Sequence, residues 1–242
     1  MKVAAIIPAA GFGTRMGTEL PKQFLELDGV PIVVRTVRRI AECPSVTEIL
    51  VATRPEEVKP LDERFRQEKL GKPFCVVSGG GHRQDSVWNA FQKLAPDTKV
   101  VVVHDAVRPF VEVEQVERVI AEARNRGAAI LGIPAMDTIK QVTHSGMPEG
   151  LAQIATTIPR ELIVQAQTPQ AFRYTLLKEA FERAVADGFY ASDEAGLIER
   201  LGQNVFVVMG SDRNIKITKP RDLELANYIL REREARGSGA QR

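Results

Sequence analysis

Residues 8–24, PAAGFGTRMGTELPKQF, set Gly11, Gly13 and Gly17 together with the cations Arg15 and Lys22 directly behind a short apolar run. Their spacing, G-x-G-x-x-x-G, departs from the dinucleotide fingerprint, which wants its third glycine where Met16 stands. A P-loop is excluded as well, because Lys22 follows Pro21 and precedes Gln23 instead of closing a Gly-Lys-Ser/Thr. What remains is a loop that lets the backbone approach a polyphosphate and offers it two cations. GGGHRQDSVWNAF (79–91) repeats the design: a glycine turn, then Asp85 and Ser86 leading into a helix, where a capping role competes with a ligand role. HDAVRP (104–109) places Asp105 and Arg108 just past a buried run, a position more often functional than structural in alternating α/β chains. His104 beside them is either a base or a packed strand-end residue.

Short β-branched runs must position these loops. VAAIIP, VTEILVAT, FCVVSG, KVVVVHD and AAILGIPA alternate with amphipathic segments, the pattern of a mostly parallel sheet covered on both faces: a doubly wound α/β fold with ligands at its strand C-termini. Residues 136–172 break the rhythm, being rich in Thr, Gln and turn residues. A β-arm that reaches another subunit is one economical explanation. Helical patterning returns at 174–187 and 192–201, followed by the strand NVFVVMG and a last helix from Pro220. The expected organisation is one domain over 1–234 and a disordered tail over 235–242. The 242 residues, 44% of them hydrophobic, can fill a sizeable core, and 33 Lys plus Arg against 31 Asp plus Glu give a net charge of +2. That balance argues against nucleic acid or an anionic membrane as partner. The first apolar run is too short and interrupted for a signal or a span, so a cytoplasmic location is expected. Cys43 and Cys75 sit at no metal or redox spacing and are expected to form no disulfide.

The blocks PAAGFGTRM…PKQF, GGxxRxDSV, VHDAVRP, DTIK, QTPQAF, SDEA and NIKIT, in this order over nearly the whole chain, closely resemble the 2-C-methyl-D-erythritol 4-phosphate cytidylyltransferase family of the non-mevalonate isoprenoid pathway. The resemblance implies a Rossmann-like nucleotidyltransferase fold, Mg²⁺-dependent transfer of CMP from CTP to methylerythritol 4-phosphate, and release of pyrophosphate. It makes Arg15, Lys22 and Lys216 the catalytic cations near the α-phosphate, and Ala10, Gly11, Gly13, Gly80, Gly81 and Ser86 the nucleotide-binding residues. Asp105, Ala106, Arg108, Thr138 and Thr168 fall to the acceptor pocket, and Arg160 reaches it from the partner subunit's arm in a homodimer. Two positions depart from the family's pattern: Gly81 stands where it often has an acid, and Ser192 where it has Thr. A phosphate monoester with a second pKa of about 6 is already largely dianionic near neutrality, so the nucleophile needs no base. Magnesium prefers phosphate oxygens to an all-protein cage, and no protein ligand is assigned to it. A ribitol-5-phosphate cytidylyltransferase shares most of these motifs. A sugar-1-phosphate nucleotidylyltransferase fits HDAVRP and NIKIT less well, an NAD-dependent reductase is disfavoured by the glycine spacing, and a non-catalytic nucleotide-binding module by the complete set of cations.

Overall fold

The structure, a computed structural model, describes residues 1–11, 21–144 and 148–239, so Gly13 and Arg15 lie outside the described residues. The chain runs β1 (Val3–Pro8), a two-residue hairpin β2 (Glu26–Leu27) and β3 (Val30–Pro31), α1 (Ile32–Ala41), β4 (Glu48–Thr53), α2 (Val58–Glu68), β5 (Phe74–Ser78), α3 (Arg83–Phe91), β6 (Val100–Val103), α4 (Val113–Arg126) and β7 (Ala128–Pro134). A second hairpin follows, β8 (Ile139–Thr143) and β9 (Gln153–Ile158), then β10 (Val164–Arg173), α5 (Tyr174–Ala186), α6 (Glu194–Arg200), β11 (Phe206–Met209) and α7 (Pro220–Gly239).

Seven strands form one sheet in the order β11-β7-β10-β6-β1-β4-β5, in which β10 runs antiparallel to both its neighbours and the other pairings are parallel. The period of two decides which face each side chain covers. Along β1, Val3, Ala5 and Ile7 point into the layer that holds α1, α2 and α4. Ala4 and Ile6 point the other way, into the layer of α3, α5 and α6 with Phe91, Phe172 and Phe181. From β1 the chain builds outward through β4 and β5, then returns to lay β6 on the other side of β1. Such a reversal opens a crevice at the strand C-termini, where the loops after β1 and β6 meet.

Two expectations need revision. The excursion at 136–172 is an arm only in its first part: β8 and β9 pair with each other alone, whereas Val164–Arg173 returns to the middle of the sheet between β6 and β7. Its polar letters concealed it, because Gln167, Thr168 and Gln170 are buried and hydrogen-bonded rather than solvated. The tail expected to be disordered from 235 continues α7 to Gly239.

Candidate active site

A cleft of about 560 Å³ opens at the predicted crevice. On one side lie Ala9–Gly11 with Lys22 and Gln23, on another Gly79–Arg83 with Ser86, and across from them Asp105–Val107 and Lys216. Local chemistry explains each wall. Gln23, buried, donates from Nε2 to the carbonyls of Ala9 (2.6 Å) and Gly11 (3.1 Å), so the start of the glycine loop is tied to the turn that carries Lys22. Gly79 is a close-approach glycine: a Cβ there would stand 2.7 Å from the Ala10 Cβ and 2.8 Å from Ser86 Oγ, which lets the first and second glycine loops touch. Asp85 accepts from the backbone N–H of His82 (2.9 Å) at the start of α3, so the capping alternative describes its side chain. Ser86 Oγ accepts from Gly80 N–H (3.0 Å) and donates to the His82 carbonyl (3.1 Å), bracing from α3 the glycine turn that precedes it.

Asp105 is the electrostatic centre. Its Oδ1 accepts from Arg83 Nε (3.2 Å), and its Oδ2 from Lys216 Nζ (2.9 Å), with Arg108 Nε at 3.5 Å. Burial alone would raise its pKa, but Arg83, Lys216 and Arg108 hold the carboxyl well below the usual carboxylate range. Arg83 in turn donates from Nη1 to both oxygens of the buried Glu194 (2.8 and 2.9 Å). Burial works against its charge, yet Glu194 and Asp105 keep the guanidinium protonated beyond its ordinary range.

Behind the cleft floor a chain of hydrogen bonds fixes the β6 loop. The Asp105 backbone N–H donates to Thr168 Oγ1 (3.0 Å), which lies 3.0 Å from His104 Nδ1, and His104 Nε2 lies 3.0 Å from the Arg108 carbonyl. Because a carbonyl can only accept, Nε2 carries the proton and Nδ1 accepts from the threonine hydroxyl. Full burial pushes the His104 pKa down to about 4, despite the upward pull of the Arg108 carbonyl and Asp105. His104 is thus a neutral clamp, and the packed alternative describes it. Arg108 and Thr168 stand behind the lining: Arg108 Nη1 donates to the Asn214 carbonyl (2.7 Å), and Asn214 Nδ2 to the Thr168 carbonyl (2.9 Å). Those bonds, with Ile217 N–H on the Val107 carbonyl (3.0 Å), seat the segment that presents Lys216.

The structure therefore gathers Ala10, Gly11, Lys22, Gly80, Gly81, Ser86, Asp105, Ala106 and Lys216 around one cleft. Thr138 and Arg160 are elsewhere: both are exposed on the arm, where Arg160 Nη1 donates to the Met136 carbonyl (2.8 Å). Sequence reasoning passed over Gln23, Arg83, Glu194 and Asn214. Each sits inside a block that was read for another residue, and only the fold shows what it touches.

Among the described residues no group of three His, Cys, Asp or Glu stands together. The cleft's carboxylates are engaged as well, Glu56 with Arg54 (3.2 Å) and Asp105 with three cations. A donor set of this kind fits a magnesium ion held by phosphate oxygens and water, not by a protein cage. No helix among the described residues is long and apolar enough to cross a membrane.

Comparison with known proteins bears on the chain as a whole. Residues 3–232 match the family described as 2-C-methyl-D-erythritol 4-phosphate cytidylyltransferase. Proteins of that name from Solibacter usitatus and Acidobacterium capsulatum are 50% and 48% identical to this chain; the alignments cover 98% of it in both cases, and 99% and 100% of theirs. Among solved structures, the enzyme of that name from Thermus thermophilus is 36% identical with a TM-score of 0.77, covering 96% of this chain and 100% of its own. A 4-diphosphocytidyl-2C-methyl-D-erythritol synthase from Anaerococcus prevotii superposes with a TM-score of 0.82 at 28% identity, over 95% and 96% of the two chains.

Proposed function

The chain belongs to the 2-C-methyl-D-erythritol 4-phosphate cytidylyltransferase family, and from that premise we propose that it joins CTP and 2-C-methyl-D-erythritol 4-phosphate into 4-diphosphocytidyl-2-C-methyl-D-erythritol and pyrophosphate. The observation that carries the proposal is the single cleft in which Lys22 and the Ala9–Gly11 backbone face Asp105, Lys216 and Arg83. An acceptor phosphate oxygen attacks the α-phosphorus of CTP, the new P–O bond forms, and the bond to the bridging oxygen of the β-phosphate breaks. No residue has to take a proton, since a monoester with a second pKa of about 6 arrives largely dianionic. This is consistent with His104 being locked and neutral.

The chain's own task is to bring two polyanions together and to stabilise charge as the α-phosphorus gains a fifth ligand. Lys22 and Lys216 supply cations to this cleft, and Arg15, outside the described residues, is assigned the same task. Ala10, Gly11, Gly13, Gly80, Gly81 and Ser86 take the nucleotide, and Asp105, Ala106, Arg108 and Thr168 shape the acceptor side. Mg²⁺, held by phosphate oxygens, would neutralise charge on the triphosphate when bound. Two chains exchange arms, so that Thr138 and Arg160 of each complete the acceptor side of the other's cleft. The exposed apolar side chains of Val142, Leu151, Ile154 and Leu162 on and beside the arm support this. The enzyme acts in the cytoplasm.

The test follows pyrophosphate with CTP, Mg²⁺ and each acceptor in turn. Methylerythritol 4-phosphate is expected to be the preferred acceptor, with ATP a poor substitute for CTP. Faster turnover of ribitol 5-phosphate would reassign the acceptor.

A further inference from the structure

Glu194 lies outside the cleft, almost wholly buried, at the first turn of α6, and no step of the reaction uses it. Its partner is unusual. Arg83 is the first residue of α3, where the helix dipole disfavours a cation, so the guanidinium needs carboxylates to stay there. Glu194 binds it through a single nitrogen, Nη1, with both oxygens, and this leaves Nε turned to Asp105 Oδ1. With Oδ1 taken, Oδ2 is the oxygen left to face Lys216 and Arg108.

Resting on the cytidylyltransferase reading above, we propose that Glu194 is a positioning residue for the acceptor side of the reaction: it sets the orientation of Arg83, which in turn orients the Asp105 carboxylate and the station of Lys216. Neutralising Glu194 leaves Arg83 with one carboxylate instead of two. The guanidinium is then free to turn toward Asp105 and compete with Lys216 for Oδ2. The nucleotide loop, held by Ser86, Asp85 and Gln23, is untouched by that change.

The segment that ends at Glu194 has other anchors, and they provide the control. Gln84 donates from Nε2 to the Phe189 carbonyl (2.9 Å) and accepts from the Ala191 N–H (2.9 Å), holding the same segment to the same helix through hydrogen bonds that involve neither Arg83 nor Asp105. Loosening the segment and unbalancing Arg83 are therefore separable.

Steady-state kinetics of the full chain with CTP and methylerythritol 4-phosphate test the proposal, and wild-type turnover establishes beforehand that the reaction itself is correctly assigned. Glu194→Gln is expected to raise the acceptor KM roughly tenfold, within the range of coupling seen between contacting charged groups, and to leave the KM for CTP unchanged. Because Glu194 acts through Arg83, the double variant Arg83→Gln/Glu194→Gln should match Arg83→Gln alone in kcat/KM for the acceptor. Gln84→Ala should lower Tm with the acceptor KM unchanged. If Glu194→Gln does not fold, Glu194→Asp keeps the charge but withdraws the carboxylate, and a smaller rise in acceptor KM is expected. Multiplying losses in the double variant, an acceptor KM unmoved by both Glu194 changes, or an equal rise in Gln84→Ala would each overturn the proposal.

Discussion

The β6 loop and the β8–β9 arm are both assigned to the acceptor, yet they are built in opposite ways. In the loop the polar side chains are engaged by the chain's own partners: Asp105 meets three cations, His104 bridges Thr168 and the Arg108 carbonyl, and Asn214 ties the Lys216 segment to β10. On and beside the arm, Ile154 and Leu162 are exposed, and Arg160 donates to the main chain of Met136. The first region is finished within one chain, its charges preorganised before any ligand arrives. The second leaves apolar side chains open, on the face proposed above for the partner's arm.

The largest effect expected from that contrast is on stability. Asp105→Asn leaves the buried Arg108 without a carboxylate, and breaking a buried ion pair from one side costs about 3–5 kcal/mol, so urea unfolding should show a loss of that size. Removing exposed arm side chains, as in Ile154→Ser, should change unfolding of the separated chain by no more than about 0.5 kcal/mol. A loop that tolerated Asp105→Asn without cost would erase the distinction.

Next comes Lys22, which lines the cleft and is expected to act in the transition state. Lys22→Ala should lower kcat by roughly 100- to 1000-fold while the KM for CTP moves far less. A near-normal kcat would return Lys22 to a solvated surface role.

His104 gives the loop a pH signature. Its folded pKa, pushed down by burial to about 4, lies below the ordinary 6.5 of the unfolded chain, so the unfolded state binds more protons between those values. Its contribution is fully present above about pH 6.5 and is lost as pH falls toward 4, in total about 3 kcal/mol at 1.36 kcal/mol per pKa unit. Urea unfolding from pH 7 to pH 4 should show this slope in wild type and a shallower one in His104→Asn. Parallel slopes would remove His104 from the account.

The smallest signal tests the arm. Lys22→Ala and Arg160→Ala, each inactive alone, are mixed where subunits can exchange. If Arg160 serves the partner's cleft, one site in each mixed dimer keeps both residues. About half of randomly paired dimers are mixed, so roughly a quarter of wild-type activity should return. If Arg160 serves its own cleft, no site is whole and none returns.

Most of the sheet was legible because its parallel strands are nearly pure runs of Val, Ile and Ala, and the loops carrying Lys22 and Asp105 follow from where those runs stop, whereas Lys216 was marked only by the resemblance of its NIKIT block. β10 was not legible, since QAQTPQAF spends its polar letters on buried hydrogen bonds that have no signature in periodicity. The link from Glu194 through Arg83 to Asp105 spans 111 and 22 positions along the chain, distances that only tertiary structure closes.

The lateness of β10 also bears on how the chain is made. β6 is complete at Val103, but its antiparallel neighbour ends at Arg173, 70 residues further on (173 − 103), and β7 has no other route to β6. At a synthesis rate of about 5–20 residues per second, the inner edge of β6 waits roughly 4–14 s for its partner. Throughout that interval the nascent sheet carries an open hydrogen-bonding edge beside the loop that carries Asp105, and it stays vulnerable to misplaced strand pairing until the arm has been synthesised and passed.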